Sequence, residues 1–146
     1  MLYSSAMFHA SSAPKIRAPL FLCAALLAAG CGYAGPKMSV EELKASVDGG
    51  SKDLVIVDVR PAAQYYRGHV KGAVNLPLEE LDSGLGDLRG RSERLAFICT
   101  CGRRALEAVK RLEERGISAT LVVGGYREWE QKGFPLVRGR RPKRDP

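Results

Sequence analysis

From residue 39 to residue 137, short runs rich in β-branched residues alternate with segments whose apolar residues recur every three or four positions. Leu54-Val55-Ile56-Val57-Asp58-Val59 is almost wholly apolar, which predicts a strand covered on both faces. Ala73 to Leu76, Arg94 to Ile98 and Ile117 to Val123 predict three more strands. Ser39-Val40-Glu41-Glu42 has the spacing of a capping box and predicts a helix to about Val47, stopped by Asp48-Gly49-Gly50. Pro61 to Tyr66 predicts a short helical stretch ending at Gly68, and Leu78 to Leu81 a further helical turn. From Arg104 to Arg115, Ala105, Leu106, Val109 and Leu112 form one apolar face, and Gly116 ends the helix. Tyr126 to Lys132 predicts a last amphipathic helix, whereas Asp82 to Ser92, Gly-rich and charged, reads as a surface loop. Strands alternating with helices imply parallel strands joined by right-handed crossovers, an α/β fold.

The amino end breaks this pattern. Ala18 to Cys31 carries no charge and follows Lys15 and Arg17, the layout of an export signal with an apolar stretch from Ala18 to Ala29. Its end, Ala28-Ala29-Gly30-Cys31, is similar to the bacterial lipoprotein box, although Ala28 stands where Leu is usual. The expectation is a signal peptide over residues 1–30, lipidation of Cys31, a linker over 31–37 and a cell-envelope location, periplasmic or membrane-anchored. A rival cut follows Ala34, a buried apolar helix is the structural alternative, and Met7 is a second candidate start.

Charge refines the picture further. The chain of 146 residues has 23 Lys and Arg against 16 Asp and Glu, and a basic excess of this size invites a nucleic-acid reading. Between Ser39 and Val137, however, 15 basic residues face 15 acidic ones, so a basic groove built into the fold is not expected. The excess lies outside this span, most of it in residues 138–146, read as a basic disordered tail. Export would remove Cys23 and consume or remove Cys31, leaving Cys99 and Cys101 as the domain's thiols; neither a disulfide framework nor a four-cysteine zinc site, nor any other metal site, is expected.

In a parallel α/β sheet, ligands bind beyond the carboxyl ends of the strands. Cys99 ends a predicted strand just before a predicted helix. The loop Cys99-Thr100-Cys101-Gly102-Arg103-Arg104 can curl its backbone N–H groups inward, with Gly102 permitting the turn. The helix N-terminus, Arg103 and Arg104 add positive potential that favours a thiolate and attracts an anionic substrate. A buried structural cysteine is the alternative reading. Cys101 reads either as a resolving thiol or as an inert loop residue. His69, Asp58 and Arg60 read as structural, and Trp129 as core.

Four segments carry a family resemblance. They are Asp58-Val59-Arg60; Tyr65 to Pro77, with Gly68-His69-Val70-Lys71-Gly72-Ala73; Cys99 to Arg104; and Gly124-Gly125-Tyr126-Arg127-Glu128-Trp129 followed by Gly133-Phe134-Pro135. In this order they resemble the rhodanese domain over about residues 38–137, and in particular the exported single-domain rhodaneses of bacteria. The resemblance implies a single domain with a central, mostly parallel sheet of about five strands and helices on both faces. It also implies a sulfurtransferase without a cofactor. Cys99 would be the nucleophile that becomes a persulfide, and Thr100, Cys101, Gly102, Arg103 and Arg104 would form the substrate-binding loop. A small anionic sulfur donor such as thiosulfate and a thiol or cyanide acceptor would be its partners. A single such domain can stand alone, so a monomer is expected.

Ala105, where Ser is frequent, and the second thiol Cys101 depart from the family pattern. Three other functions compete. A phosphatase or arsenate reductase on the same fold would have a loop one residue longer than Cys99 to Arg104. A non-catalytic rhodanese-like binding module commonly lacks the cysteine present here. A thiol redox protein would be expected to show Cys-x-x-Cys spacing.

Overall fold

A computed structural model describes residues 32–89 and 94–139 of the chain. The elements in order are β1 (Lys37–Met38), α1 (Val40–Asp48), β2 (Leu54–Asp58), α2 (Ala62–Arg67), β3 (Val74–Asn75), a 3-10 turn (Leu78–Glu80), α3 (Leu81–Arg89), β4 (Arg94–Ile98), α4 (Arg103–Glu113), β5 (Thr120–Val122) and α5 (Gly125–Gln131). The five strands pair in parallel in the order β1-β5-β4-β2-β3. Val57 stands opposite Phe97 on one side and Val74 on the other.

Alternation along the strands distributes the core to two faces. Val57 and Phe97 pack with Leu81 and Leu85 of α3 and with Ala105, Val109 and Leu112 of α4. Ile56, Ala96 and Ile98 pack on the other face with Val40 and Leu43 of α1 and Tyr126 and Trp129 of α5. Burial on both faces is why β2 and β4 read as nearly continuous apolar runs. Because every strand runs the same way, the loops that follow β2, β4 and β5 gather at one edge of the sheet.

The capping box of α1 is present: the Glu42 N–H donates to Ser39 Oγ at 3.2 Å and the Ser39 N–H to Glu42 Oε2 at 2.7 Å. Two expectations are corrected. The loop expected over Asp82 to Ser92 is helix α3 as far as Arg89, and residues 90–93 lie outside the described residues. Leu81 and Leu85, one turn apart, are both buried, and each such burial contributes about 1.5–3 kcal/mol, against about 1 kcal/mol for a glycine in a helix. Gly84, read as a loop signal, lies against Leu76: a Cβ there would stand 2.4 Å from Leu76 Cδ1. The second correction concerns the expected linker. Tyr33 is 5% exposed and packs in the core, its hydroxyl donating to Glu113 Oε1 at 2.9 Å, while Lys37 and Met38 form the edge strand. Burial, reinforced by the Glu113 carboxylate, pushes the Tyr33 phenol up to about 12.

The expected signal segment 1–30, Cys31, and residues 140–146 of the expected tail lie outside the described residues. Among the described residues no helix is long and apolar enough to cross a membrane.

Candidate active site

The site is built where β4 gives way to α4. Cys99 follows the last residue of the strand and is only 1% exposed. The chain turns at Gly102, whose φ of +90° lies in the left-handed region that a side chain disfavours, and α4 begins at Arg103, one residue earlier than expected. The first N–H groups of a helix have no partner within it. In α4 one of them, that of Ala105, donates to Cys99 Sγ at 3.4 Å. The sulfur therefore sits at the positive end of an eleven-residue helix, where negative charge is stabilised.

The loop is held from outside by α5. The Tyr126 N–H donates to the Cys99 carbonyl and the Arg127 N–H to the Thr100 carbonyl, each at 2.9 Å. In a trans peptide the C=O and the following N–H point opposite ways. Fixing these two carbonyls therefore turns the N–H groups of Thr100 and Cys101 away from the start of α5. The close approach depends on Gly125, at φ +60°, where a Cβ would lie 2.1 Å from the Cys99 carbonyl oxygen. The Gly124-Gly125 pair reads as a turn, and its function as the seat of the loop is not visible from local pattern.

A second layer fixes α5. Asp58 and Arg60 form a buried ion pair, with Arg60 Nη2 2.7 Å from Asp58 Oδ2 and Arg60 Nε donating to both carboxylate oxygens at 3.0 Å. The same guanidinium donates to the Gly68 carbonyl at 2.8 Å and lies 3.4 Å from the centre of the Tyr126 ring. The Tyr126 hydroxyl accepts from the Val70 N–H at 3.1 Å, and burial raises its phenol pKa far above the usual value. Asn75 Nδ2 donates to the carbonyls of Asp58 and Arg60 at 2.9 and 2.8 Å. His69 stacks on Tyr65 at 3.7 Å, its Nδ1 donates to the Tyr65 carbonyl at 2.9 Å, and its backbone pairs with Val137. These contacts lie apart from the cleft that Cys99 lines.

That cleft, about 560 Å³, is lined by Gln64, Cys99, Thr100, Cys101, Arg103, Arg104, Glu107 and Arg127. Five of the six loop residues proposed from sequence thus border one space, while Gly102 shapes the turn. Arg127, Glu107 and Gln64 were not anticipated in this role. Gln64 reaches the loop from α2, where its Oε1 accepts from Thr100 Oγ1 at 3.4 Å. Three arginines against one glutamate make the cleft a place for an anion. Cys101 is exposed, and the Arg103 backbone N–H, aided by its guanidinium and by the charge of Arg127, holds its thiol below the ordinary cysteine range.

Comparison with known proteins is decisive for the family. The model of the rhodanese-like domain matches residues 39–132, more than half of the chain. The protein is a member of the rhodanese family. The human thiosulfate:glutathione sulfurtransferase is 31% identical to the rhodanese chain described here, over an alignment covering 66% of this chain and 95% of the human protein. The thiosulfate sulfurtransferase PspE of Escherichia coli is 30% identical, with 57% of this chain and 78% of that protein covered. The rhodanese-like domain protein of Staphylococcus aureus superposes with a TM-score of 0.62 at 28% identity, covering 72% of this chain and 99% of that one. The alignments with three other curated relatives, 32 to 41% identical, span only 39 to 52% of those relatives' length. The α/β fold with a five-stranded parallel sheet is thus the rhodanese fold.

Proposed function

We propose that this rhodanese is a thiosulfate-type sulfurtransferase acting through a persulfide on Cys99. The observation that carries the reading is the seat of Cys99 Sγ on the Ala105 N–H, at the start of α4 and at the border of an arginine-lined cleft. In the first half-reaction the Cys99 thiolate attacks the outer sulfur of thiosulfate. The donor's S–S bond breaks and sulfite leaves with its electron pair, so that Cys99 holds a persulfide. In the second, a thiolate or cyanide attacks the outer sulfur of that persulfide, and the Cys99 thiolate leaves with the electron pair. Neither half needs an external oxidant or reductant.

Arg103, Arg104 and Arg127 draw in the dianionic donor, and N–H groups positioned before the sulfur arrives stabilise the anionic persulfide without reorganisation. The reaction calls for no metal and no nucleic acid, and the reading assigns both half-reactions to a monomer. Retention of the cysteine favours catalysis over the non-catalytic binding module, and the five-residue step from Cys99 to Arg104 favours a sulfur-sized loop over the phosphatase loop. Intact-mass measurement after incubation with thiosulfate should show one added sulfur atom that cyanide removes. No gain with any sulfur donor would overturn the reading in favour of the binding module.

The same proposal includes a place in the cell envelope, with Cys31 as the lipidated first residue of the mature chain. Tyr33 supports this cut over the rival one after Ala34, because the rival cut would remove a side chain that fills the core and bonds Glu113. Cells fed a clickable fatty acid should label the wild-type chain, and Cys31→Ser should take no label. An unlabelled wild-type chain would remove the anchor from the proposal.

A further inference from the structure

The active-site loop carries two thiols in opposite surroundings. Cys99 is 1% exposed, whereas Cys101, two residues on, is exposed. Both line the cleft that the arginines border. Cys101 also lines a second cleft, of about 530 Å³, with Gly124, Arg127, Glu128, Gln131 and Lys132, so that it and Arg127 stand between the two spaces. A thiol on a bulky partner has little access to a sulfur as enclosed as Cys99 Sγ. The rim thiol has no such restriction.

We propose that Cys101 is a second sulfur station, which takes the outer sulfur from Cys99 and hands it to protein thiols at the open cleft. The inference rests on the sulfurtransferase reading. The Cys101 thiolate attacks the outer sulfur of the Cys99 persulfide, a new S–S bond forms at Cys101, the old one breaks, and the Cys99 thiolate leaves with its electron pair. The number of persulfides is unchanged and no redox partner enters. Transfer through an intervening sulfur needs the two Sγ atoms at roughly twice an S–S bond length, about 4 Å, which a Cys-x-Cys pair reaches more easily than the bonded distance of a direct disulfide. The Arg103 N–H and guanidinium stabilise the attacking thiolate before transfer, and the charges of Arg103 and Arg127 remain beside the anionic persulfide afterwards.

The full chain should be loaded with thiosulfate, alkylated at successive times with iodoacetamide, and the persulfide located by fragmenting the peptide that spans Leu95 to Arg103. Sulfur is expected first on Cys99 and then on Cys101. In Cys101→Ser the rate of transfer to reduced thioredoxin, divided by the rate to cyanide, should fall about ten-fold. Sulfur on Cys99 that never reaches Cys101, or an unchanged ratio, overturns the relay and leaves the sulfurtransferase reading standing. A Cys99–Cys101 disulfide with release of hydrosulfide, the product of attack on the inner sulfur, overturns it as well. A chain that takes sulfur at neither thiol overturns the reading and the relay together.

Discussion

Cys99→Ser is expected to take no sulfur from thiosulfate at residue 99 and to turn over at least about 10³-fold more slowly than the parent chain. A serine hydroxyl is almost wholly protonated near neutral pH, and oxygen is a poor nucleophile toward sulfur beside a thiolate. The substitution conserves shape and leaves the Ala105 N–H an acceptor, so the cost is that of enclosing a hydroxyl, roughly 1–3 kcal/mol. Thiosulfate-to-cyanide turnover with a thermal melt on the same sample separates lost chemistry from lost fold. Full turnover in a folded Cys99→Ser chain would move the nucleophile to Cys101 and sink the role given to Cys99.

Gly125→Ala is expected to lower stability by at least about 3 kcal/mol and sulfur loading by about a hundred-fold. The left-handed φ of +60° is strained for alanine, and the new Cβ would fall 2.1 Å from the Cys99 carbonyl oxygen. That oxygen is backbone in the loop itself, so the relief of the clash must come from displacing the loop or α5. Either movement weakens the Tyr126 and Arg127 N–H bonds that orient the peptides after Cys99. Gly116→Ala supplies the control: its φ is +70°, yet nothing lies within 4 Å of a Cβ built there. It should show the strain of about 1 kcal/mol in urea unfolding and leave loading untouched. Equal loading rates in Gly125→Ala and the parent would refute the buttress.

Much of the fold was legible because its causes are local or periodic. The apolar runs of β2 and β4 signal burial on both faces, the Ser39 capping box announces α1, and Gly116 falls just beyond α4. Helix α3 was not legible, because Gly84 and Gly86 look like loop punctuation until Leu76 is seen beneath Gly84. The edge strand at Lys37 was hidden for a similar reason. Two residues carry no period, and their pairing with Leu121 and Val122 is a long-range fact.

The site divides in the same way. The position of Cys99 between a strand and a helix, the left-handed turn reserved for Gly102 and the cations of Arg103 and Arg104 are all contained in six consecutive residues, since a strand end and a helix start are set by near neighbours. Which backbone groups face the sulfur, and that Arg127 and Gln64 close the cleft, depend on α2 and α5 being carried to that loop by crossovers from other strands. The enclosure of Cys99 and the exposure of Cys101 are likewise consequences of packing. Residue type and order determined which chemistry the chain can perform, and tertiary structure alone decided which of its two thiols is shut in and which is open, because burial is a property of the elements surrounding a residue.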